Sequence, residues 1–232
     1  LWGRTRKVVT VYSQGVNQSA PGSDKVNAII NCHLATGRIG QPGMGPFSVT
    51  GQPNAMGGRE VGGLANQLAA HMDFAPEDVE RVQRFWQAPA IAQNPGLKAV
   101  DLFKAVADGK IKALWIMGTN PVVSMPDADQ VREALRRCPL VVVSDAVADT
   151  DTLRLAHVKL PALTWGEKDG TVTNSERRIS RQRTFLPPPG EAKPDGWAMT
   201  QVARRLGFEA WFPFEGSGGI FREHGALSGF EK

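Results

Sequence analysis

The run from Ile111 to Asp145, IKALWIMGTNPVVSMPDADQVREALRRCPLVVVSD, constrains the fold more than any other stretch of this chain. Ile111 to Met117 is an apolar segment of strand length, and Leu140 to Val143 is a second, β-branched one. Between them, Asp127 to Arg137 carries helical spacing, with Val131, Ala134 and Leu135 on one face. Two short apolar strands joined by a helix make a βαβ unit, and such a unit implies a parallel sheet with helices on its faces. Open sheets of this kind bind ligands where their strands end at the carboxyl edge. The polar residues there are Gly118, Thr119 and Asn120 after the first strand, and Ser144 and Asp145 after the second. The expected class is therefore α/β, with a mainly parallel, dinucleotide-binding-like sheet covered by helices.

The segments on either side support that class. Val8 to Ser13 reads as a strand and runs into a polar loop, QGVNQSAPGSD. Asp24 is placed to cap a helix over Lys25 to Thr36, which Gly37 stops. A loop entering a helix start offers backbone donors to an anion, and Gln14, Asn17 and Gln18 add amides that both donate and accept. Ordinary turn chemistry accounts for the same residues. Arg38 to Gly63 is crowded with glycine and proline yet punctuated by Met44, Phe47, Val49 and Met56, which predicts a long ordered loop against a large ligand or a neighbouring domain. Arg59 and Glu60 begin the next expected helix, to about His71. Further helices are expected at Pro76–Phe85, Leu97–Asp108 and Ala148–Leu155, with a strand at His157–Leu160. Glu167 to Gly170 reads as a charged turn, and Asp195 as the cap of a final helix, Gly196–Leu206. The expected division is a loop-rich part over 1–75, an α/β core over 76–206 and an irregular tail over 207–232.

Composition excludes some classes. No apolar run approaches the roughly 20 residues of a membrane span. The chain shows no signal-peptide pattern, although it opens at Leu1 without methionine, so this says little. Cys32 and Cys138 are far apart and match no metal or redox spacing, and the four histidines share no ligand spacing. Arg177, Arg178, Arg181 and Arg183 cluster, as a phosphate site or a solvated basic edge would. No aromatic stacking platform accompanies them, which argues against nucleic acid. Lys168, beyond a strand end, is placed to meet a phosphate or to sit in a solvated turn. No GxSxG, P-loop or GxGxxG pattern occurs. The residues alone describe a binder of a polar, phosphorylated heterocycle and name no reaction.

The run GVNQSAPGSDKVNAIINCHLATGRIGQPGMGPFSVTGQPNAMGGREVGG resembles the middle of the molybdopterin oxidoreductases. WIMGTNPVVSMPD, VVVSDAVADTDT, VKLPALTWGEKDGTVTNSERR and PGEAKPDGWAM follow in that family's order, so the resemblance covers about residues 8 to 206. Within the family it leans towards the bacterial assimilatory nitrate reductases. The resemblance implies a bis-molybdopterin guanine dinucleotide cofactor carrying molybdenum, and reduction of nitrate to nitrite by oxygen-atom transfer. It also implies a cytoplasmic protein with an electron donor protein or domain, and neither membrane nor nucleic acid as partner. Matching cofactor-contacting positions are Gln14, Gln18, Asn120, Ser144, Asp145, Lys168 and Asp195, beside Thr119 at the same sheet edge. Ser144 and Asp145 are expected at the guanosine. Arg59, in GGREVGG, is either a fixed cation in a substrate funnel or a helix-start arginine paired with an acid such as Glu60.

The family's iron–sulfur cysteines and its molybdenum-ligating cysteine belong upstream of these motifs, and Cys32 does not match them. The expectation is a central portion that meets the remaining domains of a full-length enzyme. Such a portion binds no 4Fe-4S cluster of its own and reduces no nitrate alone. Two alternatives stay open: a formate dehydrogenase-like subunit, and a non-catalytic subunit of the same fold. Gln18, Asn120, Asp145 and Lys168 count against the second, since a vacant site has no use for them.

Overall fold

A computed structural model describes residues 1–231. The chain forms two compact units, Leu1–Ala55 and Met56–Lys232. It is a mixed α/β protein, with its strands in three small sheets rather than in one.

In the first unit, β1 (Val9–Tyr12) is followed by a single helical turn, α1 (Gln14–Asn17), then α2 (Gly22–Ala35) and β2 (Gly45–Ser48). The two strands pair in parallel, Val9 against Gly45 and Tyr12 against Ser48. The expected polar loop is thus partly helical. Its helix starts at Gly22, with Pro21 as the cap residue and Asp24 inside the first turn. Gly22 is required there, because a Cβ would collide with the Asn17 carbonyl oxygen. The Arg38–Gly63 segment is not loop throughout. It contributes β2 and the short helix α3 (Ala55–Glu60), so Arg59 and Glu60 end a helix rather than begin one. Gly45 and Pro46 hide β2 from pattern reading, since both are poor strand residues, and its partner is remote in sequence.

The second unit holds the βαβ core. After α4 (Pro76–Trp86) and α5 (Ala99–Ala107) come β3 (Ala113–Met117), a turn of helix α6 (Pro121–Ser124), α7 (Ala128–Arg137), β4 (Leu140–Asp145) and β5 (Val158–Pro161). The sheet order is β3-β4-β5, all parallel. Val131, Ala134 and Leu135 of α7 are buried as their spacing requires. With Phe103 and Val106 of α5 they pack on Ile116, Val141 and Val143. Those three strand residues share one face because side chains alternate along a strand. Between β4 and β5 only Leu153–Leu155 is helical, as a short 3-10 turn.

An antiparallel hairpin follows, β6 (Gly170–Thr173) with β7 (Ile179–Gln182), and the arginine cluster lies on it. Its second strand, ISRQ, has no apolar alternation to announce it. α8 (Asp195–Ala203) is not the final helix, because α9 (Ser217–Ser228) stands where an irregular tail was expected. Three glycines depress the intrinsic helix propensity of α9. Tertiary contacts override that: Leu227 joins Ala69, Ala70, Met72 and Val82 in a second core cluster, and Trp86 Nε1 donates to Glu223 Oε1 at 3.1 Å.

Candidate functional site

The carboxyl ends of β3, β4 and β5 define the candidate site. Gly118 turns the chain out of β3 with φ +60°, a conformation that favours glycine, and its N–H still donates to the Ser144 carbonyl at 2.9 Å. Thr119 follows, exposed. Asn120 Oδ1 accepts from both the backbone N–H (3.2 Å) and the hydroxyl (2.6 Å) of buried Thr152, and the Thr152 hydroxyl accepts from Val122 N–H. The Asn120 oxygen therefore ties the β3 exit to the β4–β5 connection. Its amide nitrogen is left over from this latch.

Ser144 and Asp145 are the last two residues of β4 itself, not a loop after it, paired with Leu160 and Pro161 of β5. Strand alternation sends their side chains to opposite faces of the sheet. Ser144 is buried and its hydroxyl accepts from Trp115 Nε1 at 2.8 Å. Asp145 Oδ1 accepts from Val147 N–H at 3.0 Å in a local turn.

On the Ser144 side lies a cleft of about 430 Å³. Leu160, Pro161 and Ala162 of the β5 end form one wall, and Glu191, Lys193, Asp195 and Trp197 line the rest. Asp195 opens α8, where a carboxylate is favoured by the helix dipole. Its Oδ2 lies 3.7 Å from Lys168 Nζ, so two of the sequence-identified residues meet as an ion pair, each about one-third exposed. Lys193 Nζ stands 5.8 Å from the centre of the Trp197 ring. Glu191, Lys193 and Trp197 belong to the PGEAKPDGWAM motif, which singled out only Asp195. The indole two residues after that acid was the available signal.

The remaining sequence-identified residues lie elsewhere. In the first unit, the Gln14 carboxamide is fully engaged. Its Oε1 accepts from the Ser13 hydroxyl (2.6 Å) and Gly51 N–H (3.2 Å), and its Nε2 donates to Thr50 and Gln52 (3.0 Å each). Gln18 is exposed, with no side-chain hydrogen bond among the described residues. Arg59 is exposed and does not pair with Glu60. The Glu60 carboxylate instead lies 3.2 Å from Arg177 and 3.7 Å from His71 Nε2. Arg177 donates to His71 Nε2 at 2.9 Å. The hairpin arginines are thus partly neutralised: Arg177 by Glu60, Arg181 by Asp169. The Asp169 carboxyl is held below the usual carboxylate range by its hydrogen bond from Arg181.

Among the described residues, no group of three or more His, Cys, Asp and Glu is placed to hold a metal ion. No described helix is long and apolar enough to cross a membrane.

The family profile described as Molybdopterin oxidoreductase matches residues 5–205. A nitrate reductase of Klebsiella oxytoca is 64% identical over 97% of this chain and 26% of its own length. A nitrate reductase of Shewanella frigidimarina is 57% identical over 98% of this chain and 24% of its own. The chain thus spans about a quarter of the length of these curated relatives. Among solved structures, the acetylene hydratase of Pelobacter acetylenicus is 26% identical, with a TM-score of 0.49 over 56% of this chain and 18% of that one.

Proposed function

The chain belongs to the molybdopterin oxidoreductase family, and from that premise we propose that it is a cofactor-holding portion of a molybdenum nitrate reductase. The observation that carries the reading is the high identity to nitrate reductases along nearly the whole chain. The proposed cofactor form is bis-molybdopterin guanine dinucleotide, and the proposed protein is cytoplasmic and serves nitrate assimilation. When bound, the molybdenum centre supplies the two-electron chemistry by which nitrate loses one oxygen and becomes nitrite. A 4Fe-4S cluster and an electron donor would be held by other parts of a longer enzyme and would supply the electrons.

The donor set of the cleft fits a guanine nucleotide. A carboxylate accepts from the N–H donor edge of guanine, an indole face stacks on a base, and an ammonium meets a phosphate. Asp195 and Glu191, Trp197 and Lys193 are those groups in the cleft lining, with Lys168 beside it through its pairing with Asp195. Its volume falls within the usual range for small-ligand sites. In this reading Asp195 orients the base and Lys168 holds phosphate charge once its pairing with Asp195 loosens. Thr119 and the Asn120 amide nitrogen bind at the β3 exit. Ser144 keeps one hydroxyl proton to donate, and Asp145 stiffens the β4 end through its turn. Gln14 braces the loop over which Gln18 presents a free amide. Arg59, exposed and without an ion-pair partner among the described residues, is the cation that attracts nitrate.

Calorimetric titration of the chain with guanosine diphosphate tests this. Binding that Asp195→Asn weakens at least tenfold, about 1.4 kcal/mol, is expected, with adenosine diphosphate binding more weakly. Equal binding of both nucleotides, or no effect of the substitution, would remove the assignment.

A further inference from the structure

Ser144 lines the cleft while only 2% exposed, so it stands at the floor. That burial is complete within this chain and needs no further polypeptide. The register explains how the side chain is held. β3 and β4 pair Trp115 with Val142 and Met117 with Ser144, so Trp115 and Ser144 share the face opposite Ile116, Val141 and Val143. From there the Trp115 indole reaches diagonally across, and its Nε1–H donates to Ser144 Oγ at 2.8 Å. An indole N–H can only donate, whereas a hydroxyl offers one proton and two lone pairs. The bond therefore occupies a lone pair of Oγ and leaves its proton over. No group among the described residues accepts that proton. A buried donor without an acceptor is costly, and a ligand oxygen at the cleft floor would satisfy it. The other polar side chains of the lining are Glu191, Lys193, Asp195 and Trp197, and none of them is bonded to Ser144.

We propose that Trp115 is a positioning residue that sets the polarity of Ser144, making its hydroxyl the donor to the C6 oxygen of guanine. The pair is thereby a determinant of guanine over adenine. The inference rests on the guanine-nucleotide reading of the cleft. Guanine carries an acceptor oxygen at C6, and adenine carries an amino donor there. With its proton committed to the cleft, Ser144 meets adenine donor to donor, which penalises the wrong base. Asp195 supplies the acceptor for the N–H edge, so the two kinds of group on guanine are read by separate residues.

Calorimetric titration of the chain with guanosine, adenosine and 6-thioguanosine diphosphates tests this. The thio analogue keeps the N–H edge of guanine and replaces its C6 oxygen by sulfur, a weaker acceptor. It is expected to bind about tenfold more weakly than guanosine diphosphate. Ser144→Ala should abolish that penalty, and Trp115→Phe should cut it to about threefold. The preference over adenosine diphosphate should fall in the same order. The double variant should match Ser144→Ala alone, because the indole acts through the hydroxyl. Asp195→Asn should weaken both guanine nucleotides and leave the thio penalty in place. Without ligand, the indole N–H resonance lost in Trp115→Phe, one of six, should be protected from exchange and lose that protection in Ser144→Ala. A thio penalty that survives Ser144→Ala, or that Trp115→Phe leaves intact, overturns the inference and leaves the nucleotide assignment standing. An equal loss for all three nucleotides in Trp115→Phe makes the indole merely structural and overturns it as well. If Trp115→Phe does not fold, the Ser144→Ala penalty and the indole exchange decide. If no nucleotide binds the chain, both readings fall.

Discussion

The two units of this chain are held together by different physics. The second unit buries a continuous apolar cluster around Leu135, Val141 and Val143, and its surface carries reciprocal ion pairs such as Asp149–Arg154, Asp169–Arg181 and Arg84–Glu231. The first unit buries no apolar side chain among its described residues, and its buried side chains are polar, His33 and Arg38. The Arg38 guanidinium lies 4.1 Å above the Trp2 ring and donates to the Trp2 and Thr5 carbonyls and the Thr36 hydroxyl. Trp2 in turn meets the His33 ring edge-on. Apolar burial is non-directional and tolerates variation, whereas a buried cation is stable only while every donor finds an acceptor. The second unit is therefore the scaffold that can carry a rigid site, and the first depends on a few directed bonds.

The largest expected effect tests that scaffold. Leu135→Ala, at a fully buried position, should cost about 2–5 kcal/mol in urea unfolding, while Phe47→Ala in the first unit should stay within about 0.5 kcal/mol. Similar losses from both would erase the contrast. Next, Arg38→Met should destabilise the first unit by about 2–3 kcal/mol, because two backbone carbonyls lose a charged donor. Faster hydrogen exchange over residues 1–12, with the second unit unchanged, is the readout. Arg38→Lys should not rescue it, since an ammonium lacks the planar fork. Thr152→Val should cost about 1–2 kcal/mol and loosen the β3 exit, because Asn120 Oδ1 loses its hydroxyl donor and Val122 N–H its acceptor. Weakened guanosine diphosphate binding would accompany it if the latch orders the candidate site.

The smallest effect is acid sensitivity. Asp149, Asp169 and Glu231 are each held below the usual carboxylate range, chiefly by hydrogen bonds from Arg154, Arg181 and Arg84. A lowered folded-state pKa adds stability that is complete above the unfolded-state value and is lost as pH falls through the folded one. Protection in the second unit, corrected for the intrinsic pH dependence of amide exchange, should therefore fall modestly as pH drops below about 4, and more so at low salt. The first unit has one acid and no such pairs, so it should show no matching step.

Local pattern determined what depends on contiguous residues. The period of Val131, Ala134 and Leu135 and the apolar runs of β3 and β4 specified the βαβ core and its polar carboxyl edge. The motif order specified the family. Tertiary structure decided the rest. β2 exists because β1 offers it a partner more than thirty residues away, and α9 because Leu227 finds a pocket beside Val82. Within the site, sequence placed Ser144 and Asp145 together. The two-residue strand period separates them, and the fold brings Lys168 to Asp195 instead. Side-chain type and spacing fix local conformation because the backbone bonds involved are short-range. Which polar groups meet is fixed only when distant segments pack, because an ion pair or a latch needs two chain positions that no local pattern links.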